Sequence, residues 1–450
     1  MVACTNASAD GPTFTGMQLR EDLSQLERAL HEMPPDLARS ADLPALEGAM
    51  RALDVRLATV PPLDRDEVWR LFATLNPLLA DGHTFIGFVD WRGEVRAHLA
   101  AGGRLFPYEM KVTTDCSLRV RAEPGARIDA PNDATIRTVN GLSARDLCEQ
   151  MLARAHGDTR MFRADLVSRR FWFYYWKMFG APSDFDIEIA GRDGVQHIAG
   201  SSRLPRLLAD EKDFERQYHL QFVAGEDAAI VTLGSFAWPD KQQFLDFTHE
   251  AFSKIHAAHS RTLIIDLRDN GGGDDVMWIE GVMPYIATKR YRTASRYRKR
   301  VVVADAAKHE AVGDVVDGEI DTWFPSQPDN PLRFRGQLYV AVGAGTFSSA
   351  VSFVNVIQDF GFGRLAGVRG SVRIEQSGGA RRTTLTHCGL IVVTPRFVLS
   401  RPSGARDPRL LTPDVDFDEA RPLSDLVRVQ DEKSRLLSKP TFHRITSRAR

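Results

Sequence analysis

Four cysteines in 450 residues, Cys4, Cys116, Cys148 and Cys388, are too few and too scattered for a disulfide scaffold. None of them forms a CxxC pair, and no Cys/His spacing suggests zinc. Cys388 follows His387, but neighbours on a strand point to opposite faces, which argues against a thiol–imidazole dyad there. No apolar run approaches 18 residues, so the sequence holds no transmembrane helix. An excess of either charge is also lacking. Lys plus Arg (58) nearly cancels Asp plus Glu (59), leaving −1, and this disfavours nucleic acid or an anionic membrane as a general partner. There is no Gly-Lys-Ser/Thr of a P-loop, and no GxGxxG opens a helix. Asp269, Asp274 and Asp275 lack the ligand spacing of a calcium loop. Nothing in the chain calls for a metal or an organic cofactor.

What is present divides the chain. At this length two or three domains are expected. Residues 1–16 read as a flexible tether. Small residues before Cys4 and a polar stretch after it are similar to the cleavage box of a bacterial lipoprotein. Two readings follow: a lipid anchor at Cys4 with a periplasmic or extracytoplasmic location, or a cytoplasmic chain with a frayed end. Residues 17–95 read as a helical N-terminal domain. Leu19, Leu23, Leu26 and Leu30 recur at helical spacing, and Val68, Leu71 and Leu75 repeat the pattern before Asp81-Gly82-His83-Thr84. Residues 100–200 alternate as strands do, with Asn140-Gly141 as a turn signal. Within them, 171–176 is a run of six aromatics that suits either buried packing or a wall for apolar substrate. Residues 201–217 are the candidate linker. From 218 to 425 continuous apolar strands (228–233, 262–267, 338–342) alternate with helices. This predicts an α/β core with a mainly parallel sheet, whose ligands bind beyond the carboxyl ends of the strands. Residues 426–450 read as a C-terminal tail.

Two turns lie at those carboxyl ends. In Gly345-Thr346-Phe347-Ser348-Ser349-Ala350 a serine opens a helix marked by Ala350, Phe353, Val354, Ile357 and Phe360, with Gly361 beyond its end. A serine on such a sharp turn is presented beside the positive end of the helix. In Leu267-Arg268-Asp269-Asn270-Gly271-Gly272-Gly273, three successive glycines suit close approach of backbone N–H groups to a ligand, as an oxyanion hole requires. A serine nucleophile needs a base and a group that orients the base. His83 stands out among 12 histidines because of its turn; His387 and His219 have weaker surroundings.

These residues resemble the serine peptidases of the tail-specific (C-terminal processing) and tricorn-core family. Residues 267–273 are similar to the family's LRxNxGG turn, Thr346-Phe347-Ser348-Ser349-Ala350 to its nucleophile turn, and Asp81-Gly82-His83-Thr84 to the DGHT turn of the tricorn-like branch. Pro413-Asp414-Val415 resembles the terminal PD signature, and counting back six residues gives Asp407. The resemblance spans about residues 17 to 425. It implies a helical N-terminal domain, a PDZ-like module within 100–200, and a core of the ClpP/crotonase-like type. In the tail-specific branch a lysine about 25 residues after the serine acts as base. Here that position is Arg373, and arginine cannot deprotonate to serve as one. No serine neighbours His83 to join a tetrad, as one does in tricorn.

The implied activity is a serine peptidase acting on peptide or protein by acyl transfer. Ser348 attacks, His83 moves the proton, Asp407 orients the imidazole, and the N–H groups of Gly272 and Ser349 receive the oxyanion. Asp81 and Glu375 are the next candidates for the orienting carboxylate, and Ser349 is the rival nucleophile. The alternatives on the same fold are an esterase and a non-proteolytic binding module for apolar ligands. The basic run 289–300 reads as a solvated strand face, or as a receptor for an acidic peptide or a free carboxylate.

Overall fold

The computed structural model describes residues 11–121 and 134–428. The Cys4 box and most of the C-terminal tail therefore lie outside the described residues.

The N-terminal helices begin where their caps say they should. Thr15 and Gln18 form a capping box at the start of Gly16–Glu32, and Asp64 and Glu67 form another at the start of Arg65–Phe72. The first helix buries Leu19, Leu23, Leu26 and Leu30, and Leu43–Leu57 packs against it. These helices share one continuous apolar core with the antiparallel sheet formed by Met110–Val112, Leu118–Val120, Thr135–Val139, Asp184–Ile189 and Gln196–Ala199. The aromatic run is the helix Phe171–Phe179 inside that core, with Phe171 to Tyr175 all buried. Burying each such ring is worth about 1.5–3 kcal/mol, which accounts for the run as packing. Ser201 to Gln217, read as a linker, carries two short helices, Arg206–Asp210 and Phe214–Gln217.

Cys116 and Cys148 form a disulfide with their Cα atoms 5.5 Å apart. Counting cysteines missed it, because one bridge across 32 residues has no spacing signature.

The second half is a six-stranded sheet. Its spatial order is Tyr218–Phe222, Ala228–Leu233, Thr262–Asp266, Gln337–Val342, Arg364–Gly367 and Val415–Asp416. The first pair is antiparallel and all the others are parallel. The inner strands are buried almost throughout, which is why they read as unbroken apolar runs. Lys241–Ala257 and Ser349–Phe360 are the helices that follow the second and fourth of these strands. The chain is thus a mixed α/β structure.

Two smaller sheets join the halves. Phe85–Gly87, directly after the His83 turn, pairs with Ile391–Thr394, placing Phe85 opposite Val393. Val315–Glu319, Arg296–Arg300, Phe397–Ser400 and Gln376–Gly378 form a four-stranded sheet. Much of the basic run is spent inside this sheet. Arg298 forks onto Asp317 at 2.8 and 2.9 Å, Lys299 meets Glu310 at 2.7 Å, and Arg300 donates to the carbonyls of Gly313 and Pro34.

Candidate active site

The strand Gln337–Val342 ends in a turn that forces Ser348 to φ 54°, a conformation rare for a residue with a side chain. Such strain costs on the order of 1–3 kcal/mol and must be held by its surroundings. Here the holding is visible. Thr346 donates its hydroxyl to the Leu267 carbonyl at 2.7 Å, and Phe347 donates its N–H to the Asn270 carbonyl at 3.0 Å. Asn270, fully buried, donates its side-chain amide to Leu233. The following helix, Ser349–Phe360, buries Ala350, Phe353, Val354 and Ile357 and ends at Gly361 with φ 65°.

The glycine turn lies against the serine turn. A Cβ on Gly272 would come within 2.7 Å of Ser348 Cβ and 2.8 Å of Ser349 N. The Gly272 N–H is nevertheless not free, because it donates to Asn270 Oδ1 at 2.8 Å. That removes Gly272 from the donors expected to face an oxyanion. The N–H groups of Ser349, Gly271 and Gly273 have no acceptor among the described residues. Ser349 directs its hydroxyl elsewhere: it donates to Asp275 Oδ1 at 2.5 Å and accepts from Trp278 Nε1 at 3.0 Å.

His83 reaches across from the N-terminal half. Its Nε2 is 3.1 Å from Ser348 Oγ, and its Nδ1 is 3.1 Å from Ser377 Oγ. Ser377, on the buried strand Gln376–Gly378, donates to Asp81 Oδ1 at 2.9 Å. Asp81 Oδ1 also accepts the N–H of His83 at 2.7 Å, and Oδ2 accepts from Arg39 at 2.6 Å. These contacts fix the tautomer. An ionised carboxylate only accepts, so the Ser377 hydroxyl must donate to Asp81. The Ser377 oxygen then accepts Nδ1–H of His83, which leaves the Nε2 lone pair facing Ser348. The Phe347 ring stacks on the imidazole with 4.5 Å between centroids. It lies over Gly82 so closely that a Cβ there would be 2.3 Å from its Cζ, which gives the glycine of the Asp-Gly-His turn its reason.

The turn is held from two further sides. Asp158 Oδ1 accepts the N–H of Gly82 at 2.9 Å, and its Oδ2 accepts the N–H of Arg373 at 2.8 Å. The Arg373 guanidinium donates to the carbonyl of Ala80, a residue at φ 45°. Burial pushes the His83 imidazole below its ordinary pKa; Asp81 opposes this and Arg39 adds to it. Burial also works to raise Asp81, but Arg39, His83 and the hydrogen bonds it accepts outweigh that and hold its carboxyl below the usual range. Asp158 is raised, by burial and then by Asp81.

Asp407 does not orient the imidazole in this structure. It is exposed, and Nδ1 of His83 is taken by Ser377. Counting back from Pro413 lands just before the stretch Arg409–Leu410, which pairs with Arg373 and Ile374 rather than with the histidine turn. Glu375 instead accepts from Ser400 at 3.3 Å. His387 lies against Glu21 at 2.7 Å. Sequence reasoning missed Ser377, Arg39 and Asp158, and it read Arg373 only as a missing lysine. Nothing local marks them, since they sit in three separate segments. The carboxylates once weighed as metal ligands are committed elsewhere. Asp269 pairs with Arg169, which holds its carboxyl down at about 2, Asp274 caps a helix, and Asp275 holds Ser349. No metal-binding group occurs among the described residues.

Comparison with known proteins finds similar folds and one family match. Among solved structures, mature CPAF complexed with lactacystin superposes with a TM-score of 0.62 at 13% identity, covering 94% of this chain and 98% of that one. The photosystem II D1 C-terminal processing protease aligns over 91% of this chain and 95% of its own, at 15% identity and a TM-score of 0.47. At such identities the first likeness speaks for the fold alone. No curated protein sequence matches the chain. Residues 227–416, which hold the glycine turn, Ser348 and Ser377, match the model of peptidase family S41. This likeness to peptidase family S41 covers the core sheet from Ala228–Leu233 to Val415–Asp416.

Proposed function

We propose that this peptidase cleaves peptide bonds with Ser348 as nucleophile and His83 as general base, oriented by a Ser377–Asp81 relay instead of by a directly bound carboxylate. One observation carries the reading: a continuous chain of contacts, each 2.9 to 3.1 Å, from Ser348 through His83 and Ser377 to Asp81. Ser348 Oγ attacks the carbonyl carbon while Nε2 of His83 takes its proton. The imidazolium that forms is stabilised through Ser377 by the Asp81 charge, and it returns the proton to the leaving amine. Water then attacks the acyl-enzyme by the reverse sequence. The N–H of Ser349 is the oxyanion donor from the nucleophile turn, and a free N–H of the glycine turn, Gly273 or Gly271, is the second. Each such donor is typically worth about 3–4 kcal/mol of barrier. The residue at the tail-specific lysine position, Arg373, braces the histidine turn and takes no part in proton transfer.

The β-rich sheet within 100–200 is read as the PDZ-like module, and the six-stranded sheet as a ClpP/crotonase-like core. The Cys116–Cys148 bridge favours an oxidising, extracytoplasmic location. The test of the reading is labelling by a fluorophosphonate probe together with hydrolysis of an unfolded protein. Both should be present in the native chain and absent in Ser348→Ala. Labelling without proteolysis would favour an esterase, and the lack of both would favour the binding module.

A further inference from the structure

We propose that Arg39 is a positioning residue of this site. Its guanidinium keeps the Asp81 carboxylate ionised and fixed, so that Ser377 can only donate to Asp81 and Nε2 of His83 is left to accept from Ser348. The inference rests on the relay proposed above and names the group that sets its direction.

Arg39 closes a short 3-10 turn, Leu37–Arg39, far from the other site residues in sequence. The turn is fastened to the machinery it serves. Asp36 accepts the N–H of Arg39 at 3.1 Å and pairs with Arg298 at 3.2 Å, while Arg300 donates to the Pro34 carbonyl at 3.0 Å. Arg298 and Arg300 lie on a strand that pairs with Phe397–Ser400, and that strand pairs with Gln376–Gly378, which carries Ser377. One sheet therefore sets both ends of the relay.

The ion pair is secluded: the Arg39 side chain is 12% exposed and that of Asp81 3%. Nε and Nη1 of Arg39 are buried without a partner, so Asp81 is the acceptor its guanidinium has among the described residues. Other charged or titratable groups also face Asp81: His83 on its own turn, Asp158 and His156 from the segment before the helix Arg160–Arg169, and Arg373 from the core, behind Asp158. Burial favours protonation of Asp81, and the Asp81 charge in turn favours protonation of Asp158. A protonated Asp81 could donate to Ser377. Ser377 would then be free to donate to Nδ1, and the imidazole proton would sit on Nε2, facing Ser348. The positive charge of Arg39 prevents this reversal. It also lowers the pKa of His83 and so keeps the base neutral.

The test is the rate of Ser348 labelling by a fluorophosphonate probe as a function of pH, with circular dichroism to check folding. Arg39→Gln keeps an N–H donor and removes the charge. It should move the acid limb of the labelling rate to higher pH by about one unit or more. The rate should then fall about tenfold or more on the acid side of the native limb and recover toward the native value above the shifted one. Arg39→Lys restores charge and should return the limb close to its native position, and it serves as the readout if the glutamine variant does not fold. In an Asp81→Asn background, Arg39→Gln should cost less than it does in the native chain, leaving only the direct effect of the Arg39 charge on His83. An unshifted limb in a folded Arg39→Gln variant, or additive losses in the double variant, would overturn the inference while leaving the relay standing. Native labelling in Asp81→Asn alone would overturn the relay and the inference together.

Discussion

The two turns that meet at His83 and Ser348 are built in opposite ways. The nucleophile turn is local: a buried strand, a strained serine and an amphipathic helix follow one another within about 25 residues, and the glycine turn beside it belongs to the next strand of the same sheet. The base turn is assembled. Asp81, Gly82 and His83 are contiguous, but Arg39, Asp158, Arg373 and Ser377 come from three other segments. The lesson is that strain can be stored locally, whereas a proton-transfer direction must be imposed by partners converging from several sides. Backbone sterics act within a few residues. A tautomer is set by whichever acceptor the fold brings to Nδ1.

The largest effect should separate the two serines of the local turn. Ser348→Ala should abolish probe labelling and lower turnover of an unfolded protein by about 10⁶-fold, as removal of a nucleophile does. Ser349→Ala should still be labelled, because its hydroxyl is bound to Asp275 and Trp278. Labelling that follows Ser349 instead would reverse the reading of that turn.

Next comes the choice of carboxylate in the assembled turn. Asp81→Asn should lower turnover by about 10⁴-fold, by analogy with orienting aspartates in other triads. Asp407→Asn should leave turnover nearly unchanged. The pH profile adds a sign. His83 must be neutral to accept a proton, and burial lowers its pKa, so activity should persist below the ordinary histidine range near 6.5. Asp81 raises that pKa, so the residual activity of Asp81→Asn should have its acid limb at still lower pH. Arg39→Gln should shift the limb the other way. If Asp407→Asn were the damaging change of the two, the counted position would be restored and the relay discarded.

A smaller effect tests the contact between the turns. Gly82→Ala drives a methyl group into Phe347, the ring stacked on His83. Displacing the imidazole by about 1 Å should cost roughly 10²-fold in turnover. The overpacking should cost about 1–3 kcal/mol in stability. Urea titration and steady-state assay on the same preparation separate the two. If turnover and stability both stay at wild-type values, the ring does not hold the base.

The smallest catalytic effect is expected away from both turns. Reducing Cys116–Cys148 should lower stability by about 2–4 kcal/mol, read as an earlier urea midpoint. The probe-labelling rate under native conditions should be unchanged. A matching loss of labelling would tie the β-rich region to the base turn.

Much of the architecture was legible before any coordinates. Leu19, Leu23, Leu26 and Leu30 marked the first helix, and the apolar runs at 228–233, 262–267 and 338–342 marked strands of the core sheet, because burial on one side or both leaves a periodic trace. Ser348 and the glycine turn were legible for the same reason: each is a local exception on a regular element. The limits were equally physical. Gly272 was read as an oxyanion donor because glycine frees the backbone, but whether its N–H is free depends on Asn270 two residues away, which takes it. Asp407 was reached by counting, and counting assumes that a loop keeps its length and path. Ser377 carried no signal at all, since a serine on a short buried strand looks like any other.

By itself, then, the sequence determined the elements, the strained serine, the glycine turn beside it and the histidine turn with its Asp81, because each depends on neighbours within a few residues. Tertiary structure alone decided which carboxylate serves the histidine, which serine lies between them and which arginine holds the charge. Those choices depend on which side chains arrive at Nδ1 and Oδ2. Residues 39, 81, 158, 373 and 377 meet only after the N-terminal helices, the loop before Arg160 and the four-stranded sheet have packed together.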